Sequence, residues 1–464
     1  MIWNLSRTKP ALPNSYFWTW DHRTNWVLDD PGILNFGCYN KYLKLPDTYI
    51  SEYEKLIDFA AGLGIKGIVI WGFLRDSHGG IESAKHIASY GASKGVAILP
   101  GVGTTWYGGV YYEGEHRYNL DAFLRKNPDA KMIGKDGKPY NYSDCIGACP
   151  TNPLFREWIY EAVKWLFKEF DIGGVNFENG DYLLCLCPNC RKHKTGWSAD
   201  DPDFFRIQAL GYETVLEAVE KEMKNKLITL ATYTGFVPGG FKPDENTPDG
   251  VLDITHNMHC DRPAMIDHLN KDAIMQWTIT GMVHKKPLPL TLFLDNGVPE
   301  EIFDNTNWPV GLNPPSVRNT GYLHQERYNH SVGIIKEACL RAYRSGLEGV
   351  GIYGEVPSWH IPAALNYLAF SHFIHWPEDS LLDFGKKTLG QIFNNEKEGE
   401  VFAEIFAHWD AGTITDFQNK EAKKRASELL KQVRIGKDLE KWRFWDWLTK
   451  VIEGNIEQQT INIF

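Results

Sequence analysis

The chain has 464 residues, of which 43% are hydrophobic, and a net charge of −10. The acidic balance, with no basic stripe, excludes nucleic-acid phosphates as a partner. No apolar run is long enough to span a membrane. Eight cysteines are too few for a disulfide scaffold at this length, and a chain this long can bury a large core without one. The N-terminus, MIWNLSRTKPALPNS, lacks a basic-then-apolar leader pattern. It therefore predicts a cytoplasmic protein, or a periplasmic or secreted one if a leader has been removed.

In chain order, Ser15–Asp21 (SYFWTWD) reads as a first strand ending in Asp21, His22 and Arg23. Residues Thr48–Leu63 place Tyr49, Tyr53, Leu56, Ile57 and Ala60 on one helical face, and Gly64 ends that helix. Gly67–Phe73 (GIVIWGF) is apolar almost throughout, as in strands buried on both faces. After it come Arg75, Asp76 and His78. A helix over Ile81–Lys94 precedes a third strand, Val96–Pro100. A long loop rich in glycine and aromatic residues follows, from Gly101 to Pro150. Thr151-Asn152-Pro153 caps a helix over Leu154–Phe170.

The fourth strand, Ile172–Phe177, runs into Glu178, Asp181 and a C-x-C-x2-C cluster formed by Cys185, Cys187 and Cys190. Further strands are expected at Leu227–Tyr233, Gly250–His256, Ala273–Thr280 and Gly349–Glu355, with Leu288–Leu294 competing for the seventh position. Helices are expected at Asp203–Lys224, Arg262–Leu269 and Ser331–Ser345. Eight alternations of strand and helix imply parallel strands with right-handed crossovers. No dinucleotide or phosphate-binding glycine motif intervenes. The expected fold is α/β, a (β/α)8 TIM barrel over residues 1–380. A helical C-terminal appendage, 381–464, is suited to pack on the barrel or to form a homodimer contact.

Barrel active sites lie at the C-terminal strand ends. Those ends carry Asp21 and His22; Trp71, Arg75, Asp76 and His78; Trp106 and Tyr107; Glu178 and Asp181; Tyr233; His256; Trp277 with Asp295; and Tyr353, Glu355 and Trp359. Carboxylates beside flat aromatic rings suit glycoside hydrolysis, which needs a proton donor and a second carboxylate as base or nucleophile. Glu178, at the end of an apolar strand where desolvation favours the protonated form, is the expected acid. Glu355 is the expected second carboxylate, and Asp181 a partner or a loop cap. The remaining strand-end residues are assigned to substrate binding. This chemistry needs no cofactor. Long third and seventh loops predict action at chain ends. A non-catalytic carbohydrate-binding barrel is one rival, and another is a metal-dependent hydrolase or lyase built on Asp21, His22, His78 and His256. Cys149, Cys185, Cys187 and Cys190 are the expected ligands of a structural zinc. A disulfide from the loop to Cys149, or unpaired thiols, are the alternatives.

The fourth strand with its C-x-C-P-x-C tail, and the closing GVGIYGE…ALNYLAFSHFIHWPEDSLLDF, resemble an uncharacterised group of bacterial glycoside-hydrolase-like barrels. That group is related in style to the family 20 hexosaminidase and family 67 α-glucuronidase superfamily. The resemblance implies a carbohydrate substrate and a fourth-strand acid, which maps onto Glu178. The paired Asp-Glu of hexosaminidases is absent, because Phe177 precedes Glu178, so a direct two-carboxylate mechanism is expected.

Overall fold

In the computed structural model, eight parallel strands close into a barrel in sequential order, β1 pairing with β8. The structure describes Trp3, Leu5 and residues 8–27, 44–134, 136–139, 147–179, 185–192, 202–232, 270–279, 283–284, 287–295, 318–413, 416–436 and 438–454. The strands are β1 (Tyr16–Trp20), β2 (Gly67–Trp71), β3 (Ala97–Gly103), β4 (Gly174–Glu178), β5 (Leu227–Thr232), β6 (Ile274–Thr278), β7 (Arg318–Tyr322) and β8 (Val350–Tyr353). Around them lie α1 (Pro46–Leu63), α2 (Gly80–Ser93), α3 (Leu120–Lys126), α4 (Pro153–Glu169), α5 (Pro188–Arg191), α6 (Pro202–Val219), α7 (Val332–Arg344) and α8 (Ile361–Phe373). No described helix is long and apolar enough to cross a membrane.

The barrel follows from strands that are apolar on both faces. Phe17, Ile68, Ile70, Ile98, Val102, Val175, Phe177, Ile228 and Ile352 point outward and merge with the helices. Tyr16, Trp18, Val69, Trp71, Leu99, Tyr322 and Tyr353 fill the interior. Large inward rings need small neighbours. A Cβ on Gly101 would lie 2.4 Å from the Trp71 ring, so glycine on β3 lets that indole lie across the barrel. Helix starts are set locally: the Asn152 side chain accepts from the Phe155 N–H at 3.1 Å, with Pro153 in the first turn of α4. Gly64, at φ 68°, ends α1 in the left-handed conformation that glycine adopts without strain.

The second half departs from the expected strand assignment. Ala273–Thr280 supplies β6 rather than the seventh strand, because β5 pairs directly with it. The segment 250–256 lies outside the described residues. Leu288–Leu294 holds a short 3-10 turn, Leu290–Phe293, not a strand. β7 is Arg318–Tyr322 (RNTGY), in which Asn319 and Gly321 are poor strand formers and pairing on both sides holds the segment in place.

Past residue 380 the chain is helical: α9 (Leu381–Phe384), a π turn (Gly385–Leu389), α10 (Gly390–Phe393), α11 (Glu396–Asp410), α12 (Asp416–Gly436) and α13 (Leu439–Ile452). These helices share one continuous apolar cluster with the layer around the barrel.

Candidate active site

Glu178 closes β4 on the inward face, two residues beyond Asn176. The Asn176 amide donates to Thr229 Oγ1 at 2.7 Å and to Gln276 Oε1 at 2.5 Å across the interior. In register, the neighbours of Glu178 are Gly103 on β3 and Ala231 on β5. The carboxylate is buried, yet flanked by the two smallest kinds of side chain. Asn179, the next residue, is held by Thr104 and by the Thr105 hydroxyl, which donates to its carbonyl at 2.7 Å.

Across the ring stands Glu355, just beyond β8. Its Oε1 accepts from the Trp20 N–H at 2.8 Å, and its other oxygen is ion-paired with Arg327. The Arg327 guanidinium lies 3.4 Å from the centre of the Tyr353 ring. Burial alone would lower its pKa, but Glu355 and the two neighbouring tyrosines raise it, so Arg327 is a fixed cation. Arg75 is engaged elsewhere, with Asp21 and Glu113, and Arg341 pairs with Glu337 at 2.7 Å.

Between the two carboxylates the interior is aromatic. Trp71 packs against Trp18, Trp20, Tyr107 and Tyr112, and Tyr322 meets Tyr353 edge to face at 5.6 Å. The indole N–H of Trp71 finds no acceptor among the described residues. Tyr107 adopts φ 51°, a left-handed backbone that is strained for a tyrosine and costs about 1–3 kcal/mol. It holds the ring against Trp71 and Trp20. His324, exposed at the end of β7, stacks edge-on to Tyr322 at 4.6 Å.

Beside Trp71 lies a buried ionic cluster. Asp21 Oδ2 is 2.6 Å from Arg75 Nε and 3.1 Å from His78 Nδ1, and Asp21 Oδ1 is 3.5 Å from His22 Nδ1. Arg75 also pairs with Glu113 and covers the Tyr112 ring. Burial would raise the Asp21 pKa, but Arg75 and the hydrogen bonds from His22 and His78 hold it well below the usual carboxylate range. Gly72 makes this possible: at φ 92°, a Cβ there would strike the Asp21 carboxylate. Asp21, His22 and His78 therefore do converge, but around a guanidinium. Asp76 serves the third loop, accepting from the Tyr111 hydroxyl and from the Glu115 N–H at 3.2 Å.

Four expected substrate contacts lie elsewhere. Trp277 points outward into the helix layer, its N–H donating to Asn319 Oδ1 at 2.8 Å, because its position on β6 is one step out of phase with the interior. Trp106 is buried among Met132, Cys149, Cys185 and Cys190. Asp295 is exposed beside the Leu290–Phe293 turn, which packs toward α11. Trp359 is half-buried, and its carbonyl accepts from Arg443 of α13. Asp181, Tyr233 and His256 lie outside the described residues. The structure brings together Glu178, Glu355, Trp71, Tyr107 and Tyr353, with Asp21, His22, Arg75 and His78 alongside. Sequence reasoning missed Trp20, Tyr322, His324 and Arg327. The alternation of Tyr16, Trp18 and Trp20 is a signal for the first; the others depend on the unrecognised β7.

The four cysteines do converge. Their sulfurs all lie within 4.8 Å of one another, the one group of three or more potential metal ligands of this kind among the described residues. Hydrogen bonds from the Cys185 and Cys190 thiols pull the Cys149 thiol far below its ordinary pKa, and bonding to Cys149 raises Cys185 to about 12 and Cys190 further.

No protein-family model and no curated protein sequence matches the chain. Among solved structures it is similar to a maltogenic α-amylase from Thermotoga neapolitana, with 11% identity and a TM-score of 0.45 over 79% of this chain and 77% of that one. It is also similar to a β-N-acetylhexosaminidase from Bacteroides fragilis, with 12% identity and a TM-score of 0.41 over 78% and 66%. An α-L-fucosidase from Paenibacillus thiaminolyticus gives 10% identity and a TM-score of 0.44, covering 78% of this chain and 49% of that one.

Proposed function

We propose that this barrel is a glycoside hydrolase that cleaves an oligo- or polysaccharide from the chain end by a two-carboxylate mechanism. One observation carries the reading: an inward, buried carboxylate, Glu178, sits at the C-terminal end of β4, in register with Gly103 and Ala231, at the aromatic-lined end of the barrel and across from Glu355. The rings at that end offer flat faces for sugars. Glu178 donates a proton to the leaving oxygen. Glu355, held by Arg327 and the Trp20 N–H, acts as the base that activates water. β4 and β8 stand opposite one another in an eight-strand ring. That arrangement favours the wider carboxyl separation of inverting enzymes, roughly 6.5–9.5 Å.

The decisive experiment compares the wild type with Glu178→Gln on a panel of aryl glycosides and oligosaccharides. Loss of the general acid lowers kcat by about 10²–10⁴-fold, while binding of the same sugars, measured calorimetrically, is retained. Sugar binding without turnover by the wild type would instead identify a carbohydrate-binding barrel. NMR of the first-formed anomer reads the stereochemistry, for which inversion is the expected result.

A further inference from the structure

Two separate stretches of chain meet at the four cysteines: Cys149 just ahead of α4, and Cys185, Cys187 and Cys190 after β4. The distances discriminate between the uses of such a cluster. Cys149 Sγ is 3.6 Å from Cys187 Sγ and 3.6 Å from Cys190 Sγ, and none of the four is in a disulfide. A bonded pair would need sulfurs about 2.0 Å apart. An ion bound tetrahedrally at about 2.3 Å from each sulfur needs them about 3.8 Å apart.

The surroundings are those of thiolates. The Cys190 N–H points at Cys187 Sγ at 3.4 Å, folding Cys187-Pro188-Asn189-Cys190 into a tight turn, and the Ile133 N–H points at Cys185 Sγ at 3.4 Å. Such backbone donors disperse sulfur charge and orient the ligands. The Thr151 hydroxyl lies 3.2 Å from both Cys149 and Cys190 sulfurs. Three of the cysteines are buried and the fourth is half-buried.

We propose that Cys149, Cys185, Cys187 and Cys190 bind one structural zinc ion that clamps the loops on the β3–β4 side of the barrel mouth. With four protein ligands the ion keeps no open position, so its role is mechanical. The clamp reaches the mouth through short links. Leu186 N–H donates to the Ile133 carbonyl at 2.7 Å, Cys149 N–H to Ala130 at 2.8 Å, and Ala148 N–H to Thr105 at 2.9 Å. Trp106 packs on the cysteines, and the next residue is the strained Tyr107, whose ring lines the interior. Zinc would thus hold in place the loop that presents Tyr107.

Elemental analysis of the full-length protein, produced with zinc and iron both supplied, is expected to find one zinc per chain. That zinc should be released in step with thiol modification by a mercurial reagent. Reconstitution with cobalt should give the intense thiolate charge-transfer bands of a tetrahedral site. Cys187→Ser should drop zinc below a tenth per chain, and Cys339→Ser, remote from the cluster, should keep it at one. Four freely titrating thiols without metal, a disulfide found by mass spectrometry, or bound iron would each overturn the proposal. If Cys187→Ser does not fold, the metal content and cobalt spectrum of the wild-type chain decide alone.

Discussion

Asp21 and Arg75 show how one buried pair organises a strand end. Removing one member of such a pair leaves an uncompensated buried charge, a loss of about 3–5 kcal/mol. Asp21→Asn should therefore lower the urea midpoint strongly. The pH dependence has a definite sign. The folded-state pKa of Asp21 lies below its unfolded value, near 3.9, so its contribution is complete above that value and is lost as pH falls from there through the folded-state pKa. His372 acts over a different window. Burial lowers its pKa from 6.5 to about 4, against the opposing pull of Asp379. The stability tied to its neutral ring is full above pH 6.5 and is lost toward pH 4, about 3 kcal/mol in all. Urea titrations between pH 7 and 4 should show the decline, and His372→Asn should flatten it. Much of this chemistry was visible as residue types. Asp21, His22, Arg75 and His78 stand out in the sequence as polar residues after apolar strands. That they enclose one another was not, because partners 54 residues apart meet only where β1 pairs with β2.

At the level of elements, β3 is the strand whose small residues shape the interior. Gly101 faces the Trp71 ring at a distance that no Cβ tolerates. Gly101→Ala should destabilise the fold by about 1–3 kcal/mol through overpacking, with a changed near-ultraviolet tryptophan spectrum. An unaltered spectrum and midpoint would show that Trp71 does not lie as described. Strands β1 to β5 and β8 were legible because apolar residues run along both faces and glycine or proline punctuates their ends. β7 was hidden for the opposite reason. Its Arg318 reaches Glu348 at 2.9 Å, Asn319 accepts from Trp277, and Gly321 leaves room for Ile279. These three residues answer to tertiary neighbours rather than to strand propensity. With β7 unread, Tyr322, His324 and Arg327 could not be placed at the mouth, and Trp277 was given the wrong face.

Across the whole molecule, the C-terminal helices and the barrel's outer layer are one apolar body. Trp445 of α13 is fully buried and donates to Glu398 Oε1 at 2.9 Å. Arg443 of the same helix reaches the β8 loop at Trp359. A single unfolding transition, coincident by circular dichroism and fluorescence, is therefore expected for the full chain. Trp445→Ala should shift that transition as a unit, at a cost of about 3–5 kcal/mol. Two resolved transitions, with only one displaced, would show that the helices fold apart from the barrel.

The brace between Glu355 and the Trp20 N–H joins residues 335 positions apart. It has a consequence in time as well as in space. During synthesis, β1 leaves the ribosome long before its last neighbour exists. The inward edge of that strand waits for β8 through the production of nearly the whole barrel. Under the proposed mechanism the second carboxylate is aligned only when this seam shuts. A nascent chain halted before Val350 would carry Glu178 and most of the aromatic lining yet have no activity, and competence would arrive in one step with the final strand.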